Sequence, residues 1–385
     1  MTKTMTWMAA DWVFDGAQVH SNTAVRIVDG CVADLAPAAP DMRRIAGGIT
    51  PGFVDLQVNG GGGALLNADP SPATLTTMAR AHRGLGSVAI LPTVITSAPD
   101  VLDRAVAASL NAQQIPGIIG LHIEGPHIAH KRRGTHAAQY IRPLDDHTLN
   151  AVERLRARRV PVMLTLAPEA ATPDQIARLS AMGCVVSLGH TDATAEQIQT
   201  ALAAGACCGT HLFNAMSPMT GRAPGAVGAL INAPVPCGII CDGHHVADDM
   251  VGLALRARAR PDTLFLVSDA MATVGGPDQF DLYGQTITLR DGKLVNAEGS
   301  LAGAHVTVAQ SVQRMVQRVG APLDVALRMA TAIPATCIGR PDLGTLVGRA
   351  VEDLLHLSPD LALLGPLMAQ QPLGTDRAYH ARSAQ

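Results

Sequence analysis

Short apolar runs and amphipathic segments alternate along most of this chain. Residues 185–212 show the pattern clearly, with an apolar run at Val185–Leu188, then Ile198 and Leu202 one helical turn apart, then a second apolar run at 207–212. Strand, helix and strand in this order are typical of parallel β-structure joined by helices. The alternation therefore predicts an α/β protein.

Eight apolar runs of this kind occur, and helical patterns separate most of them. They cover residues 52–58, 87–96, 117–124, 161–168, 184–190, 207–212, 237–242 and 263–269. Eight strands alternating with helices over about 220 residues predict a (β/α)8 barrel of the TIM type. A doubly wound open sheet is the alternative, but the glycine run at 60–63 does not have the G-x-G-x-x-G spacing of that fold.

The two ends of the chain have a different pattern. Residues 1–48 alternate short apolar runs with turn signals, which predicts antiparallel strands, and the tail at 341–385 is short and strand-like. We expect both ends to form one small β-sandwich domain, beside a barrel domain at 49–340. After the eighth strand, residues 280–299 predict a β-hairpin excursion from the barrel.

Composition narrows the function classes. The chain is 48% hydrophobic and 16% charged, so it can bury a large core and is not disordered. A net charge of -3 without basic blocks, and only 3% aromatic residues, argue against a nucleic-acid partner. The long uncharged run at 223–241 contains three prolines and has moderate apolarity, so we expect no membrane span.

Cysteine usage and the N-terminus predict a cytoplasmic location. The seven cysteines are odd in number, and none of them forms a CxxC motif, which favours reduced thiols over disulfides. Asp11 and Asp15 interrupt the first fifteen residues, so these residues lack the apolar core of a signal peptide.

Polar side chains stand at the carboxyl ends of the predicted strands. A parallel barrel brings these ends together around one active-site mouth. In chain order, the residues are Gln57, Asn59, Glu124, His190, His211, His244, His245 and Asp269.

Three of these residues have the chemistry of a metal site. Glu124, His190 and His211 are suitable zinc ligands, and three protein ligands leave one position for water. Asp269 could accept a proton from that water, so the pattern predicts metal-assisted hydrolysis. His245 and Arg222 follow strands seven and six and suggest an anionic substrate.

Structural roles stay open for the same residues. Glu124 could pair with Arg132 or Arg133, Asp269 could cap the next turn, and an arginine in a turn-rich loop is usually solvated. We interpret His122 and Asp55, which lie inside predicted strands, as structural.

Motifs along nearly the whole chain resemble one known family. They are PGFVDLQVNG, LHIEGPH, RRGTHA, SLGHTDAT, THLFNAMSPMTGRAPG, DGHHV, VSDAM, GSLAG and RMATAIPA. In this order they resemble the N-acetylglucosamine-6-phosphate deacetylases of the amidohydrolase superfamily. The resemblance implies a barrel with a small β-sandwich from both termini. It also implies hydrolysis of N-acetylglucosamine 6-phosphate to glucosamine 6-phosphate and acetate, in amino-sugar metabolism.

The resemblance also implies roles for particular residues. Glu124, His190 and His211 would hold one divalent ion per subunit, with Zn²⁺ expected and Fe²⁺, Co²⁺ or Mn²⁺ as alternatives. Asp269 would be the general base and then the general acid, and His136 would contact the sugar and polarise the acetamide carbonyl. The remaining substrate contacts would come from Asn214, Ala215, Arg222, His245, Leu301, Ala302 and Gly303. The family forms dimers, so we expect a homodimer.

One departure from the sequence pattern of the superfamily changes the number of metal ions that we expect. Many amidohydrolases carry His-x-His on the first strand, whereas this chain has Gln57 and Asn59. An amide is a poorer ligand than imidazole, so we expect one metal. Two other functions stay open, namely hydrolysis of another N-acyl or cyclic amide substrate, and sugar-phosphate binding without catalysis.

Overall fold

The computed structural model describes residues 5–297, 299 and 301–367. Its strands are β1 (Met5–Phe14), β2 (Val19–Val28), β3 (Cys31–Pro37), β4 (Arg43–Pro51), β5 (Phe53–Val58), β6 (Gly60–Gly61), β7 (Ala64–Leu65), β8 (Ser87–Ile95), β9 (Leu121–Glu124), β10 (Val162–Leu166), β11 (Val185–Leu188), β12 (Cys208–Gly209), β13 (Cys237–Ile239), β14 (Leu264–Leu266), β15 (Gln279–Leu282), β16 (Gln285–Arg290), β17 (Lys293–Val295), β18 (Leu354–Leu357) and β19 (Leu363–Pro366). Its α-helices are α1 (Pro72–Gly84), α2 (Pro99–Asn111), α3 (Asp146–Ala157), α4 (Pro173–Ala181), α5 (Ala195–Ala203), α6 (Gly225–Asn232), α7 (Asp248–Ala257), α8 (Val308–Arg314), α9 (Leu323–Ala330) and α10 (Ala332–Cys337).

The central sheet has eight parallel strands in the order β5-β8-β9-β10-β11-β12-β13-β14, which is their order along the chain. A parallel bridge between Val58 and Ala270 joins the first strand to the segment after the last, and Asp55 accepts a hydrogen bond from the backbone N–H of Ser268. The sheet is therefore a nearly closed barrel, and the predicted (β/α)8 architecture is confirmed.

The strands are shorter than their apolar runs at the carboxyl end. The run at 207–212 contains only two strand residues, and the run at 184–190 contains four. His190 and His211 have positive φ angles of 48° and 26°, and Asp269 has 51°. L-residues rarely adopt this region of backbone space, and it turns the chain out of the sheet. The strands β11, β12 and β14 therefore end before His190, His211 and Asp269, the residues that they contribute to the mouth.

Five of the ten described α-helices begin at a residue whose side chain caps the first turn. Thr172, Thr194 and Thr307 each form a capping box with the glutamine three residues later, and Ser71 accepts a hydrogen bond from the N–H of Thr74. These bonds satisfy N–H groups that a helix leaves unpaired at its first turn. Each cap fixes where the loop from the preceding strand ends.

Both chain ends build a second sheet, in the order β19-β18-β4-β1-β2-β3. The pairing of β1 with β4 is parallel, and the other pairs are antiparallel. The predicted small β domain from both termini is thus confirmed, although part of the predicted tail, 368–385, lies outside the described residues. The predicted domain boundaries after residues 48 and 340 stay a prediction, and the first of them falls inside β4.

A third sheet covers one side of the barrel mouth. Strands β15, β16 and β17 form an antiparallel meander at the position of the predicted hairpin. Leu282, Ile287 and Leu294 of this sheet pack with Ile95 and Met271 at the ends of barrel strands. The Tyr283 hydroxyl donates a hydrogen bond to the backbone carbonyl of Thr96. This sheet, which we call the cover sheet, is therefore fixed to the barrel beside the site.

Within the described part of the chain, no helix has both the length and the apolarity needed to cross a membrane.

Candidate metal and catalytic site

Three predicted ligands converge at the barrel mouth. Glu124 is the last residue of β9, and His190 and His211 each follow their strand by two residues. The Oε1 atom of Glu124 lies 3.3 Å from Nε2 of His190 and 3.0 Å from Nε2 of His211, and the two nitrogens are 3.1 Å apart. The three side chains are almost fully buried. The structure therefore brings together the residues that the sequence assigns to the metal.

The orientation of these rings fits a divalent cation. The Nδ1 atom of His190 lies 2.8 Å from the backbone carbonyl of Arg132, to which only an N–H can donate. This bond leaves the lone pair of a neutral ring on Nε2, facing Glu124. The buried Nδ1 of His211 has no partner among the described residues, so that ring is held only from its Nε2 side. One cation bound by Oε1 of Glu124 and by the Nε2 atoms of His190 and His211 would give each of these three atoms a partner.

The described residues contain one group of at least three converging histidine, cysteine, aspartate or glutamate ligands, and it is this one. The amides of Gln57 and Asn59 point their N–H groups at carboxylates. The Nε2 atom of Gln57 lies 2.9 Å from Oε1 of Glu124 and 3.2 Å from Oδ1 of Asp269, and Nδ2 of Asn59 lies 2.7 Å from the same Oδ1. Hydrogen-bond donors thus occupy the two positions at which the sequence resemblance implies imidazole ligands in other amidohydrolases.

Asp269 lies beside this cluster in a partly buried position, and Gln57 donates to both Asp269 and Glu124. Burial and the negative charge of Glu124 raise the pKa of Asp269 to about 6. Its carboxylate is held by the two amides of Gln57 and Asn59, so its position is fixed without a bond to either histidine ligand. A carboxyl group with a raised pKa that faces a metal site is suited to accept and return a proton.

His136 reaches the cluster from the loop that follows β9. Its ring centroid lies 4.4 Å from that of His190, and its Nδ1 lies 2.7 Å from the hydroxyl oxygen of Thr96. Burial lowers the pKa of His136 well below its usual range, and the nearby His190 lowers it further. The ring is therefore neutral near pH 7 and can offer one N–H.

A second histidine is fixed on the opposite side of the mouth. The Nδ1 atom of His245 lies 2.6 Å from Oδ2 of Asp242, and Oδ1 of Asp242 accepts the backbone N–H groups of His244 and His245 at 2.8 Å. Burial alone would raise the pKa of Asp242, but the bonds to His245 and the two backbone groups outweigh it and lower the pKa to about 2. Asp242 is thus ionised and orients the His245 ring.

These side chains surround one cavity of about 180 Å³. Ten of the residues predicted for the site line it: Glu124, His136, His190, His211, Asn214, Ala215, His245, Asp269, Leu301 and Gly303. Ala302 lies buried beneath the lining, and Arg222 lies on an exposed loop outside it. The individual roles of all twelve residues stay predictions.

The sequence analysis did not identify the apolar wall of the cavity. It consists of Ile95, the last residue of β8, Ile240, which follows β13 directly, and Met271, which lies in the segment after β14. The sequence could have indicated them in the same way as the polar residues, because all carboxyl ends of a parallel barrel meet at the mouth.

Comparison with known proteins agrees with this geometry. Residues 49–349 match the Amidohydrolase family. The chain is 37% identical to the N-acetylgalactosamine-6-phosphate deacetylase of Shewanella sp. (strain ANA-3), over 94% of this chain and 95% of that one. It is 33% identical to the N-acetylglucosamine-6-phosphate deacetylase of Haemophilus influenzae (strain ATCC 51907 / DSM 11121 / KW20 / Rd), over 83% of this chain and 85% of that one.

A solved structure agrees as well. A mutant of the Mycobacterium smegmatis N-acetyl-D-glucosamine-6-phosphate deacetylase, in complex with N-acetyl-D-glucosamine-6-phosphate, superposes with a TM-score of 0.85 and 32% identity. The match covers 94% of this chain and 97% of that one. The resemblance found in the sequence motifs is confirmed, and the chain belongs to the amidohydrolase family.

Proposed function

We propose that this chain is a metal-dependent deacetylase that converts N-acetylglucosamine 6-phosphate to glucosamine 6-phosphate and acetate. The observation that carries the proposal is the convergence of Glu124, His190 and His211 on one point, with Asp269 and His136 around the same cavity. The names of the relatives from Haemophilus and Mycobacterium support the substrate.

The ligand set supplies one part of the chemistry. A divalent ion held by Glu124, His190 and His211 would act as a Lewis acid that polarises an amide carbonyl and makes water more acidic. Two nitrogen donors and one carboxylate, with room for a further ligand, favour zinc among the divalent ions.

Asp269 moves the proton. Its carboxylate accepts a proton from the attacking water as the water oxygen bonds to the acetyl carbon. The carbon–nitrogen bond then breaks, and the carboxyl group returns the proton to the amine nitrogen. Gln57 and Asn59 hold the carboxylate in one position through both steps. Acetate and the free amine leave.

His136 acts on the other side of the carbonyl. An N–H from its free ring nitrogen donates to the carbonyl oxygen as negative charge develops there. His245, held by Asp242, and Arg222 bind the 6-phosphate, while Asn214, Ala215 and 301–303 contact the rest of the substrate.

A second candidate substrate is N-acetylgalactosamine 6-phosphate, which differs only in the orientation of the C4 hydroxyl. The relative from Shewanella favours it, because that alignment spans nearly the whole of both chains at 37% identity. The chemistry proposed above is the same for both sugars, since the acetamide and the phosphate are identical.

We further propose a cytoplasmic homodimer. The seven cysteines form no disulfide in the described structure, which suits a reducing compartment. The dimer rests on the sequence resemblance alone.

The test is acetate release from the two phosphorylated sugars and from unphosphorylated N-acetylglucosamine, with metal-loaded and chelated protein. We expect metal-dependent release from at least one phosphorylated sugar, and the ratio of the two kcat/KM values identifies the preferred C4 epimer. If neither sugar phosphate is hydrolysed by metal-loaded protein, the chain acts on another amide or only binds its ligand.

Arg222→Ala is expected to raise KM for the phosphorylated substrate by about 10- to 100-fold with little change in kcat. A charge-assisted hydrogen bond to a phosphate contributes about 1.5–3 kcal/mol, and each 1.4 kcal/mol is about tenfold in binding. The exposed Arg80 on α1 gives a matched control as Arg80→Ala. An equal rise of KM for phosphorylated and unphosphorylated sugar would show that Arg222 does not recognise the phosphate.

A further inference from the structure

The hydroxyl of Thr96 contacts the ring of His136 inside the barrel mouth. Thr96 directly follows β8 and is 1% exposed, and its Oγ1 lies 2.7 Å from Nδ1 of His136. No other hydrogen-bond partner of this hydroxyl exists among the described residues. Among the described residues, the Thr96 hydroxyl and Nδ1 of His136 are therefore each other's sole hydrogen-bond partner.

The position of the hydroxyl is set from two sides. The backbone carbonyl of Thr96 accepts a hydrogen bond from Tyr283 of the cover sheet. On the other side lies Gly125, where a Cβ atom would stand only 2.3 Å from Oγ1 of Thr96. A side chain at residue 125 would therefore displace the hydroxyl from its contact with His136.

The direction of this hydrogen bond follows from burial. A neutral imidazole has one N–H and one acceptor nitrogen, and a hydroxyl can both donate and accept. If Nδ1 of His136 carried the proton and donated it, the buried hydroxyl proton of Thr96 would have no acceptor among the described residues. If Thr96 donates to Nδ1, the hydroxyl proton and the Nδ1 lone pair satisfy each other, and Nε2 carries the ring proton.

The neighbouring His190 shows the opposite arrangement. Its Nδ1 contacts a backbone carbonyl, which only accepts, so its Nε2 keeps the lone pair that a metal ligand requires. His136 and His190 are in ring contact, yet their Nδ1 partners assign them different tautomers. One ring is prepared to bind a cation, and the other is prepared to donate to a carbonyl oxygen.

We propose that Thr96 is a positioning residue, whose hydroxyl donates to Nδ1 of His136 and so holds the N–H of Nε2 toward the substrate carbonyl. This inference rests on the proposed deacetylase function for its effect on catalysis. The assignment of the tautomer itself does not depend on the substrate.

Two variants of residue 96 separate the hydroxyl from the shape of the side chain. Thr96→Val keeps the shape and removes the donor, and we expect kcat to fall by about 100-fold, the usual effect of losing one oxyanion donor, with KM within about twofold of wild type. Thr96→Ser keeps the donor and is expected to restore kcat to within about threefold of wild type. Metal content and Tm are measured in both variants.

Nitrogen-15 NMR of histidine-labelled protein gives a readout that does not need turnover. We expect the wild-type His136 ring, assigned by its loss in His136→Gln, to be protonated at Nε2. In Thr96→Val the Nδ1 atom no longer accepts a hydrogen bond, so we expect its nitrogen-15 resonance to shift. The control is Thr148→Val, which removes a hydroxyl at 2.9 Å from Nε2 of the buried His127, outside the cavity. We expect this control to keep wild-type kcat and the His136 tautomer.

The outcomes distinguish the two proposals. A wild-type His136 protonated at Nδ1, or a Thr96→Val variant with wild-type kcat, would overturn the role of Thr96. If wild-type protein hydrolyses neither sugar phosphate, the proposed function fails, while the NMR result still decides the tautomer.

Discussion

Asp269→Asn is expected to lower kcat by about 10²- to 10⁴-fold, which is the range for loss of a positioned general acid–base group. Asparagine has nearly the same shape as aspartate, and its amide oxygen can accept the same hydrogen bonds from Gln57 and Asn59. The side chain should therefore stay in place while it loses the ability to take a proton. KM and metal content should change little.

The measurement is steady-state acetate release together with metal analysis of the purified protein. Asp278→Asn is a suitable control, because Asp278 is an exposed carboxylate beside the cover sheet and outside the cavity lining. Full turnover by Asp269→Asn would show that another group moves the proton. A loss of metal along with activity would instead assign Asp269 to the metal site.

The sequence predicts that Glu124, His190 and His211 converge, because the position of each residue at the end of its own strand can be recognised locally. Each of His190 and His211 follows its own apolar run, and the rule that parallel strand ends meet at one mouth brings them together with Glu124. Nothing about the intervening loops was needed for this inference. The same rule predicts Asp269 and His245 at the mouth, and both residues line the cavity.

What the sequence could not predict depends on contacts between distant loops. The bond that orients His190 comes from Arg132, 58 positions away, and the bond that orients His136 comes from Thr96, 40 positions away. Periodicity describes which face of an element is buried, but it does not specify which loop atom meets a ring nitrogen. The orientation of each ring, and with it the choice of donor or acceptor atom, became visible only in the fold.

The first barrel strand shows both what residue type indicates in the sequence and what only the structure adds. Gln57 and Asn59 indicated from sequence that a second metal site lacks its imidazoles. The structure adds that both amide nitrogens face Asp269, and that Gln57 also donates to Glu124. A residue type can thus argue against one role from sequence alone, whereas the contacts that the residue makes instead require the positions of its partners.

His211→Ala is expected to abolish stable metal binding and, with it, acetate release. In the proposed metal site His211 is one of three ligands among the described residues, and its Nε2 lies within 3.1 Å of both Oε1 of Glu124 and Nε2 of His190. Loss of an outer-shell partner already weakens metal binding by about 10- to 100-fold, so loss of a direct ligand should exceed that range. Metal content after dialysis and isothermal titration with Zn²⁺ measure the effect.

Thermal unfolding gives a second measurement that is independent of turnover. A ligand at 100 times its Kd stabilises the protein that binds it by about 2.7 kcal/mol, so Zn²⁺ should raise the Tm of wild type and leave that of His211→Ala unchanged. His147→Ala is the matched control, since His147 is a half-buried histidine on α3 that pairs with Asp103 on α2, outside the cavity lining, and its Zn²⁺ response should equal that of wild type. If Zn²⁺ stabilises His211→Ala as strongly as wild type, the metal binds elsewhere, and the cluster is a buried hydrogen-bonded group rather than a metal site. If only the wild type and the control respond, the residues at the ends of β9, β11 and β12 hold the ion on which the proposed hydrolysis depends.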